Sequence, residues 1–245
     1  MTIITMAIVG FFFGFVLDYL VARLAREPYV RADAAGVDTP ALKSDAARLT
    51  LAPFGPPAPA EVPTLLTTHS VLRTIFVVAA TAVSFALIGL QYRGSESELA
   101  IAAFYASALI ICAATDLLSF RVPNSVTYPA IVAAFVIGMV IPGANRLDVV
   151  AGGLLFGGLL LVPSILTGGA MGMGDVKLAF FVGFALGLTL VVPAMLVMAI
   201  SGGLAAAMLI ITRLRGQGDP IPYAPFIAAG ALIVLLVKGT AFHSI

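Results

Sequence analysis

The chain has 245 residues, of which 61% are hydrophobic and only 10% are charged, and its mean hydropathy is +1.11. Soluble domains carry about 25% charged residues, so this composition excludes a soluble globular protein and predicts an integral membrane protein. The formal net charge of +1 offers no basic surface for a nucleic-acid partner. The single cysteine, Cys112, excludes both a disulfide framework within the chain and a zinc site built from cysteines.

The apolar residues form long uninterrupted runs. Only α-helices and closed β-barrels satisfy every backbone group inside a bilayer, and barrel strands are about ten residues long with alternating polarity. The runs here are longer and do not alternate, so residues 1–245 are predicted to form one all-α domain, a bundle of about eight transmembrane helices. In chain order the runs are Ile3–Ala22, Thr74–Leu90, Leu99–Ala114, Val126–Ile141, Val149–Leu166, Leu178–Val192, Pro193–Ile211 and Tyr223–Val237.

The sixth and seventh runs follow each other without a polar connection. Together they extend from Leu178 to Ile211, which is roughly 50 Å of helix at 1.5 Å per residue. This length is too great for one crossing of a hydrocarbon core of about 30 Å. We expect the chain to turn at Gly187 or Pro193.

The basic residues predict the orientation, because cytoplasmic loops carry an excess of Lys and Arg. With eight crossings and both termini outside, ten basic residues lie on the inner side and three on the outer side. Merging the sixth and seventh runs would move Arg213 and Arg215 to the outer side, so we predict eight crossings. The inner set is Arg23, Arg26, Arg31, Lys43, Arg48, Arg73, Arg121, Lys177, Arg213 and Arg215, and the outer set is Arg93, Arg146 and Lys238.

One long connection, residues 23–73, separates the first two runs. It is rich in proline and alanine and has few large apolar residues with which to form a core of its own. We predict a cytoplasmic loop here, with the first helix ending at Pro28. The segment contains no cysteine, and the topology puts the two histidines, His69 and His243, on opposite sides of the membrane, so no metal site is predicted.

Two aspartates are the candidate functional residues. Asp175 lies near the end of the glycine-rich segment Thr167–Lys177, just before the sixth run. Asp116 lies two residues after the end of the third run. Two predicted crossings separate them, so both lie at the same side of the membrane and at similar depth. Ionisable residues at such positions are expensive to bury, which makes them functional candidates.

A pair of facing carboxylates can share one proton, so that one acts as general base on a water and the other as general acid. No serine or cysteine nucleophile with a paired base is evident. The pattern therefore predicts an aspartic hydrolase at the membrane boundary. A polytopic transporter or proton carrier, with the two aspartates as an intramembrane relay, is the alternative, and an inactive scaffold is a third.

The pattern of residues resembles the prepilin leader peptidases, which are membrane aspartic proteases of the GxGD type. The matching features are Asp116 with the downstream Pro123–Asn124, and Gly172–Lys177, which reads GMGDVK. Similarity continues in Gly10–Pro28 and in Pro220–Gly230, where a proline–phenylalanine pair begins the last helix. A presenilin-like protease also has GxGD, but Pro225–Ile227 does not match the PAL motif of that class.

The resemblance implies an enzyme that cuts the short basic leader from type IV prepilins or pseudopilins at the cytoplasmic face of the bacterial inner membrane, without a cofactor. Asp116 and Asp175 would be catalytic. The supporting residues would be Gly172 and Gly174, which let the substrate backbone approach, together with Lys177, Pro123 and Asn124.

Two departures from the family pattern matter. Bifunctional members carry two CxxC pairs in the first cytoplasmic loop and also methylate the new N-terminus, whereas residues 23–73 lack cysteine. We therefore predict cleavage without a zinc site and do not predict methyl transfer. The first run also has an aspartate, Asp18, where the family has a polar amide. We expect Asp18 to be structural, reaching water or pairing with Arg23.

Overall fold

The computed structural model of the protein describes residues 3–34, 63–166, 172–212 and 221–240. Within these ranges the chain forms helices and no β-strand, which confirms the predicted all-α class. The seven helices are α1 (Ile3–Ala34), α2 (Pro63–Gln91), α3 (Glu96–Ser119), α4 (Asn124–Val140), α5 (Arg146–Leu166), α6 (Met173–Ile211) and α7 (Ala224–Val237).

Five of the described helices are long and apolar enough to cross a membrane, over Ile3–Ala25, Val71–Gln91, Glu96–Ser119, Arg146–Leu166 and Met173–Leu209. Helices α4 and α7 are also apolar but have only 17 and 14 residues. A helix of 14 residues is about 21 Å long, which is less than the roughly 30 Å of a hydrocarbon core. The chain is therefore a multi-pass membrane protein, whereas the count of eight crossings and the position of the termini stay predictions.

Helix α1 is longer than predicted. It continues past Pro28 to Ala34, so the prediction that Pro28 ends the helix was wrong. The many cooperative hydrogen bonds of a 32-residue helix outweigh the one that a proline removes. Since α2 begins at Pro63, the rest of the predicted loop, residues 35–62, lies outside the described residues.

Helix α6 has a local break in its helical backbone at one of the two residues where the chain was predicted to turn. Gly187 has φ 71° and ψ 172°, a conformation that residues with a Cβ rarely adopt, whereas Pro193 lies inside a helical stretch. A broken helix leaves amides without an intrahelical acceptor. Asp148 of α5 accepts hydrogen bonds from the Thr189 amide at 3.2 Å and from its hydroxyl at 2.8 Å, which ties the break to the neighbouring helix.

Glycines allow α5 and α6 to pack closely. A Cβ added at Gly152 would collide with the backbone of Gly187 and Leu188, and one at Gly183 would collide with the backbone of Gly152 and Gly153. Small residues of this kind let membrane helices bring their backbones together. The close packing fixes the first half of α6, which carries Asp175.

Helix α3 lies at the centre of the bundle. Its buried residues between Ala102 and Cys112 pack against residues of α6 and α7 in the main hydrophobic cluster. A second cluster joins α1 and α2 to α3 and includes Leu17, Val77 and Ala114. The end of α3 therefore lies among the ends of several other helices, and this is where the candidate site forms.

Candidate active site

Asp116 lies in the last turn of α3 and is 5% exposed. The helix ends because Phe120 adopts a left-handed conformation, with φ 51° and ψ 35°. The Phe120 amide donates to the Asp116 carbonyl at 2.8 Å, which closes the last turn. The backbone of Asp116 is therefore fixed, and its carboxyl group points from the end of a rigid helix.

Asp175 lies in the first turn of α6 and is 8% exposed. Its amide donates to the Gly172 carbonyl at 3.0 Å, and a Cβ added at Gly172 would lie 3.2 Å from Asp175 Oδ2. Gly172 thus leaves room for the carboxyl group. Oδ1 of Asp175 is buried and has no hydrogen-bond partner among the described residues.

The carboxyl groups of Asp116 and Asp175 interact electrostatically. Two negative charges repel each other, and burial weakens the screening of this repulsion by water. Among the described residues, no third His, Cys, Asp or Glu joins the pair to form a group that could hold a metal ion. The arrangement suits proton transfer to and from a bound water or polar substrate.

A third helix end contacts Asp116. The amide of Ala224, the first residue of α7, donates to Asp116 Oδ2 at 3.1 Å. Ala224 is 108 residues away in sequence and fully buried. The contact joins the end of α3 to the beginning of α7.

Gly174 brings the beginning of α6 against the loop that follows α3. A Cβ at this position would lie 2.9 Å from the Cβ of Val122 and 3.1 Å from its Cγ2. Each glycine of the GMGD sequence therefore has a packing reason within the protein: Gly172 accommodates Asp175, and Gly174 accommodates Val122. Their predicted role in approach by a substrate backbone stays a prediction.

The side chain of Lys177 contacts α4. Its Nζ donates to Asn124 Oδ1 at 3.0 Å and lies 4.7 Å from the centre of the Tyr128 ring, a cation–π contact. Pro123 precedes α4 as its N-cap, and its carbonyl accepts from the Thr127 amide at 3.0 Å. The predicted supporting residues Lys177 and Asn124 therefore form a contact between α4 and α6, and Pro123 caps the beginning of α4.

The structure thus brings the predicted site residues together at the ends of four helices. Three participants were not predicted, namely Val122, Tyr128 and the backbone amide of Ala224. The spacing of Asn124 and Tyr128, one helical turn apart, could have indicated Tyr128. The proline after Ala224 marks a helix start but does not reveal which side chain the start contacts.

Asp18 is a structural residue, as expected, but its predicted partner Arg23 was wrong. Arg73 of α2 donates to both Asp18 oxygens, through Nε at 2.7 Å and Nη2 at 3.2 Å, and the Thr74 hydroxyl donates at 2.8 Å. Arg23 lies on the same helix as Asp18 and its side chain is exposed. Packing of α1 against α2 decides the partner, and sequence proximity does not.

The fold and this site define a class: a multi-pass helical membrane protein with two buried, interacting aspartates at neighbouring helix ends. Residues 103–211, which include both aspartates, match the model of the type IV leader peptidase family. This segment, which is less than half of the 245-residue chain, is therefore similar to the type IV leader peptidase family.

A curated relative agrees with the family match. The chain is 34% identical over 159 residues to the prepilin leader peptidase/N-methyltransferase of Bacillus subtilis (strain 168). The match includes 64% of this chain and 62% of the relative, so the chain spans less than two thirds of the length of that protein. No solved structure matches the chain.

Proposed function

We propose that the chain is a membrane aspartic endopeptidase that removes the short leader of type IV prepilins or pseudopilins. Asp116 and Asp175 are its acid–base pair, and the cut is made at the cytoplasmic face of the bacterial inner membrane. The bilayer and the precursor pilin are its two partners in this proposal, and the peptide cleavage requires no cofactor.

The pairing of Asp116 with Asp175 carries the proposal. Both carboxyl groups are buried, they interact with each other, and Oδ1 of Asp175 has no hydrogen-bond partner in the described part of the chain. An unpartnered buried oxygen is costly for stability. Such a cost is typical of functional sites, where a ligand or water supplies the missing hydrogen bond.

The chemistry follows from the shared proton. The ionised carboxylate takes a proton from a water, and the resulting hydroxide attacks the carbonyl carbon of the scissile peptide bond. The protonated carboxyl gives its proton to the carbonyl oxygen, and the carbon–nitrogen bond then breaks as the leaving amine is protonated. Water is consumed, and the products are a leader with a new carboxylate and a pilin with a new amine.

The predicted orientation supports cleavage at the cytoplasmic face. Lys177 follows Asp175 by two residues and Arg121 follows Asp116 by five, and both belong to the basic set of the predicted inner side. A basic leader is attracted to anionic lipids at that surface, and the pilin helix that follows it is apolar. A site at the inner boundary of the bilayer can receive both parts of such a substrate.

Mass spectrometry of a candidate prepilin tests the proposal. The prepilin is coexpressed with the chain, with Asp116→Asn or with Asp175→Asn, and the N-terminus of the pilin is sequenced. We expect the parent chain to release the leader and both variants to leave the precursor uncut. The same spectrum reports methylation of the new amine, which we do not expect.

Asp148→Asn is the matched control. Asp148 lies in the first turn of α5, at the opposite end of that helix from the segment leading to Asp175, and an asparagine keeps the oxygen that Thr189 requires. This variant should process the prepilin as the parent does. Normal processing by either Asp116→Asn or Asp175→Asn would remove the mechanism proposed here.

A further inference from the structure

The first turn of α7 leaves few backbone N–H groups that can donate to the rest of the protein. The first amides of a helix have no intrahelical acceptor and need a partner elsewhere. The N-cap residue, Tyr223, gives no side-chain cap, and Pro225 has no amide hydrogen. The two amides after Pro225 donate to the Tyr223 carbonyl at 3.0 and 3.2 Å.

Ala224 is therefore the one donor of this turn that must be satisfied from outside α7. It is fully buried, and its amide donates to Asp116 Oδ2 at 3.1 Å. Leaving a buried amide without a hydrogen-bond partner is destabilising. The hydrogen bond consequently links the stability of α7 to the position of the Asp116 side chain.

We propose that the first turn of α7 is a positioning element of the aspartate pair. The Ala224 amide holds the Asp116 carboxyl in one rotamer and occupies Oδ2, which leaves the other oxygen for the reaction. Pro225 serves this arrangement by removing a neighbouring donor that would compete for the same carboxyl. The effect on catalysis rests on the proposed function. The hydrogen bond between Ala224 and Asp116, and its contribution to stability, do not.

The contact can be tested by stability, without any activity. Asp116→Asn keeps a side-chain oxygen for the Ala224 amide, and Asp116→Ala removes it. For purified full-length protein in detergent, we expect the Ala variant to unfold at a lower temperature than the Asn variant. A loss of 1 kcal/mol lowers Tm by about 2–4 °C in a chain of this size.

A backbone ester identifies the donor. Nonsense suppression with the α-hydroxy acid lactate replaces the Ala224 amide N–H with an ester oxygen and leaves the side chain unchanged. In the ester protein, the difference in Tm between Asp116→Asn and Asp116→Ala should disappear. If the ester protein does not accumulate, Ala224→Pro removes the same N–H at the first helical position, where proline fits.

The catalytic consequence has its own measurement. The ester at Ala224 should lower kcat between tenfold and a hundredfold, because small displacements of a catalytic group cost this much, and should leave KM unchanged. The matched control is an ester at Ala231, which is made with the same lactate and lies two turns further along α7. It should change kcat by less than about twofold.

Two results would overturn the contact between Ala224 and Asp116: equal Tm values for Asp116→Asn and Asp116→Ala in the parent chain, or a difference that persists in the ester protein. An equal fall in kcat for both esters would overturn the positioning role and leave a purely structural contact. If the parent chain cuts no prepilin, the proposed function fails, and the stability measurements still decide whether Ala224 holds Asp116.

Discussion

The bundle contains two groups of buried acidic side chains, and they differ in how their charge is balanced. Asp18 of α1 receives three hydrogen bonds from Arg73 and Thr74 of α2. Asp116 receives one from a backbone amide, and Asp175 leaves Oδ1 without a partner in the described ranges. Leu17, the neighbour of Asp18, packs in the same cluster as Ala114, which precedes Asp116 by two residues.

Under the proposed function, this difference separates a structural aspartate, Asp18, from the catalytic pair. Removing a charge from a satisfied ion pair should reduce stability, because it leaves the other charge buried. Removing a charge from a repulsive pair should reduce activity and spare stability. Functional sites often show this trade between stability and activity.

The largest expected effect is on activity. Asp116→Asn or Asp175→Asn should lower the cleavage rate of a prepilin by roughly a thousandfold, because general acid–base catalysis contributes about 10²–10⁴-fold. Asp18→Asn should stay within about threefold of the parent rate per folded molecule, since Asp18 lies outside the proposed pair. The assay is a time course of leader release by purified protein in lipid vesicles. A thousandfold loss in Asp18→Asn would end the distinction between the two groups.

The second effect is on stability, and here Asp18→Asn should be more damaging than Asp175→Asn. Asp18→Asn should lower the free energy of unfolding by about 1.5–3 kcal/mol, since it weakens hydrogen bonds from a charged group. Asp175→Asn should be neutral or stabilising, because it removes repulsion from Asp116. Thermal unfolding of both variants in one detergent provides the comparison. Equal destabilisation by both would show that Asp175 is held as firmly as Asp18.

Gly174→Ala tests the role of the aspartate pair without changing either aspartate, because the added Cβ should push the beginning of α6 away from the loop after α3. The new Cβ would lie 2.9 Å from Val122, and overpacking of this kind costs about 1–3 kcal/mol. Cleavage should fall together with Tm, and Val122→Gly should restore both, because it removes the Cβ and Cγ2 that the new Cβ would meet. Gly203→Ala is the control, because no atom lies within 4 Å of its added Cβ. Failure of Val122→Gly to rescue would refute the steric explanation.

The smallest expected effect concerns the contact of Lys177 with Asn124 and Tyr128. Lys177→Met should lower stability by about 0.5–1.5 kcal/mol, the usual net contribution of one hydrogen bond. Asn124→Leu should act similarly, and the double variant should lose less than the sum, because the two residues share one interaction. If the loss of unfolding free energy in the double variant, measured by chemical unfolding, equals the sum of the two single losses, the two side chains do not depend on each other.

The sequence predicted the membrane class and the two acids for a physical reason: apolar length and the number of crossings between residues are properties of the chain order. It also named Gly187, with Pro193, as a candidate turning point, and of the two only Gly187 has a non-helical backbone, whereas the two crossings between Leu178 and Ile211 stay a prediction. The prediction that Pro28 ends α1 was wrong, because it considered the hydrogen bond that one proline removes and not the cooperativity of a long helix. The sequence also assigned the glycines of GMGD a role toward substrate, whereas their immediate neighbours are Asp175 and Val122.

The sequence by itself determined that this chain is a membrane bundle with an aspartate at the end of one apolar run and another at the start of a later one. Only the tertiary structure decided that Arg73, 55 residues away, neutralises Asp18, and that the Ala224 amide, 108 residues away, holds Asp116. Periodicity and charge patterns describe neighbours along the chain. Partners at such separations depend on which helix ends come together, and that depends on the packing of the whole bundle.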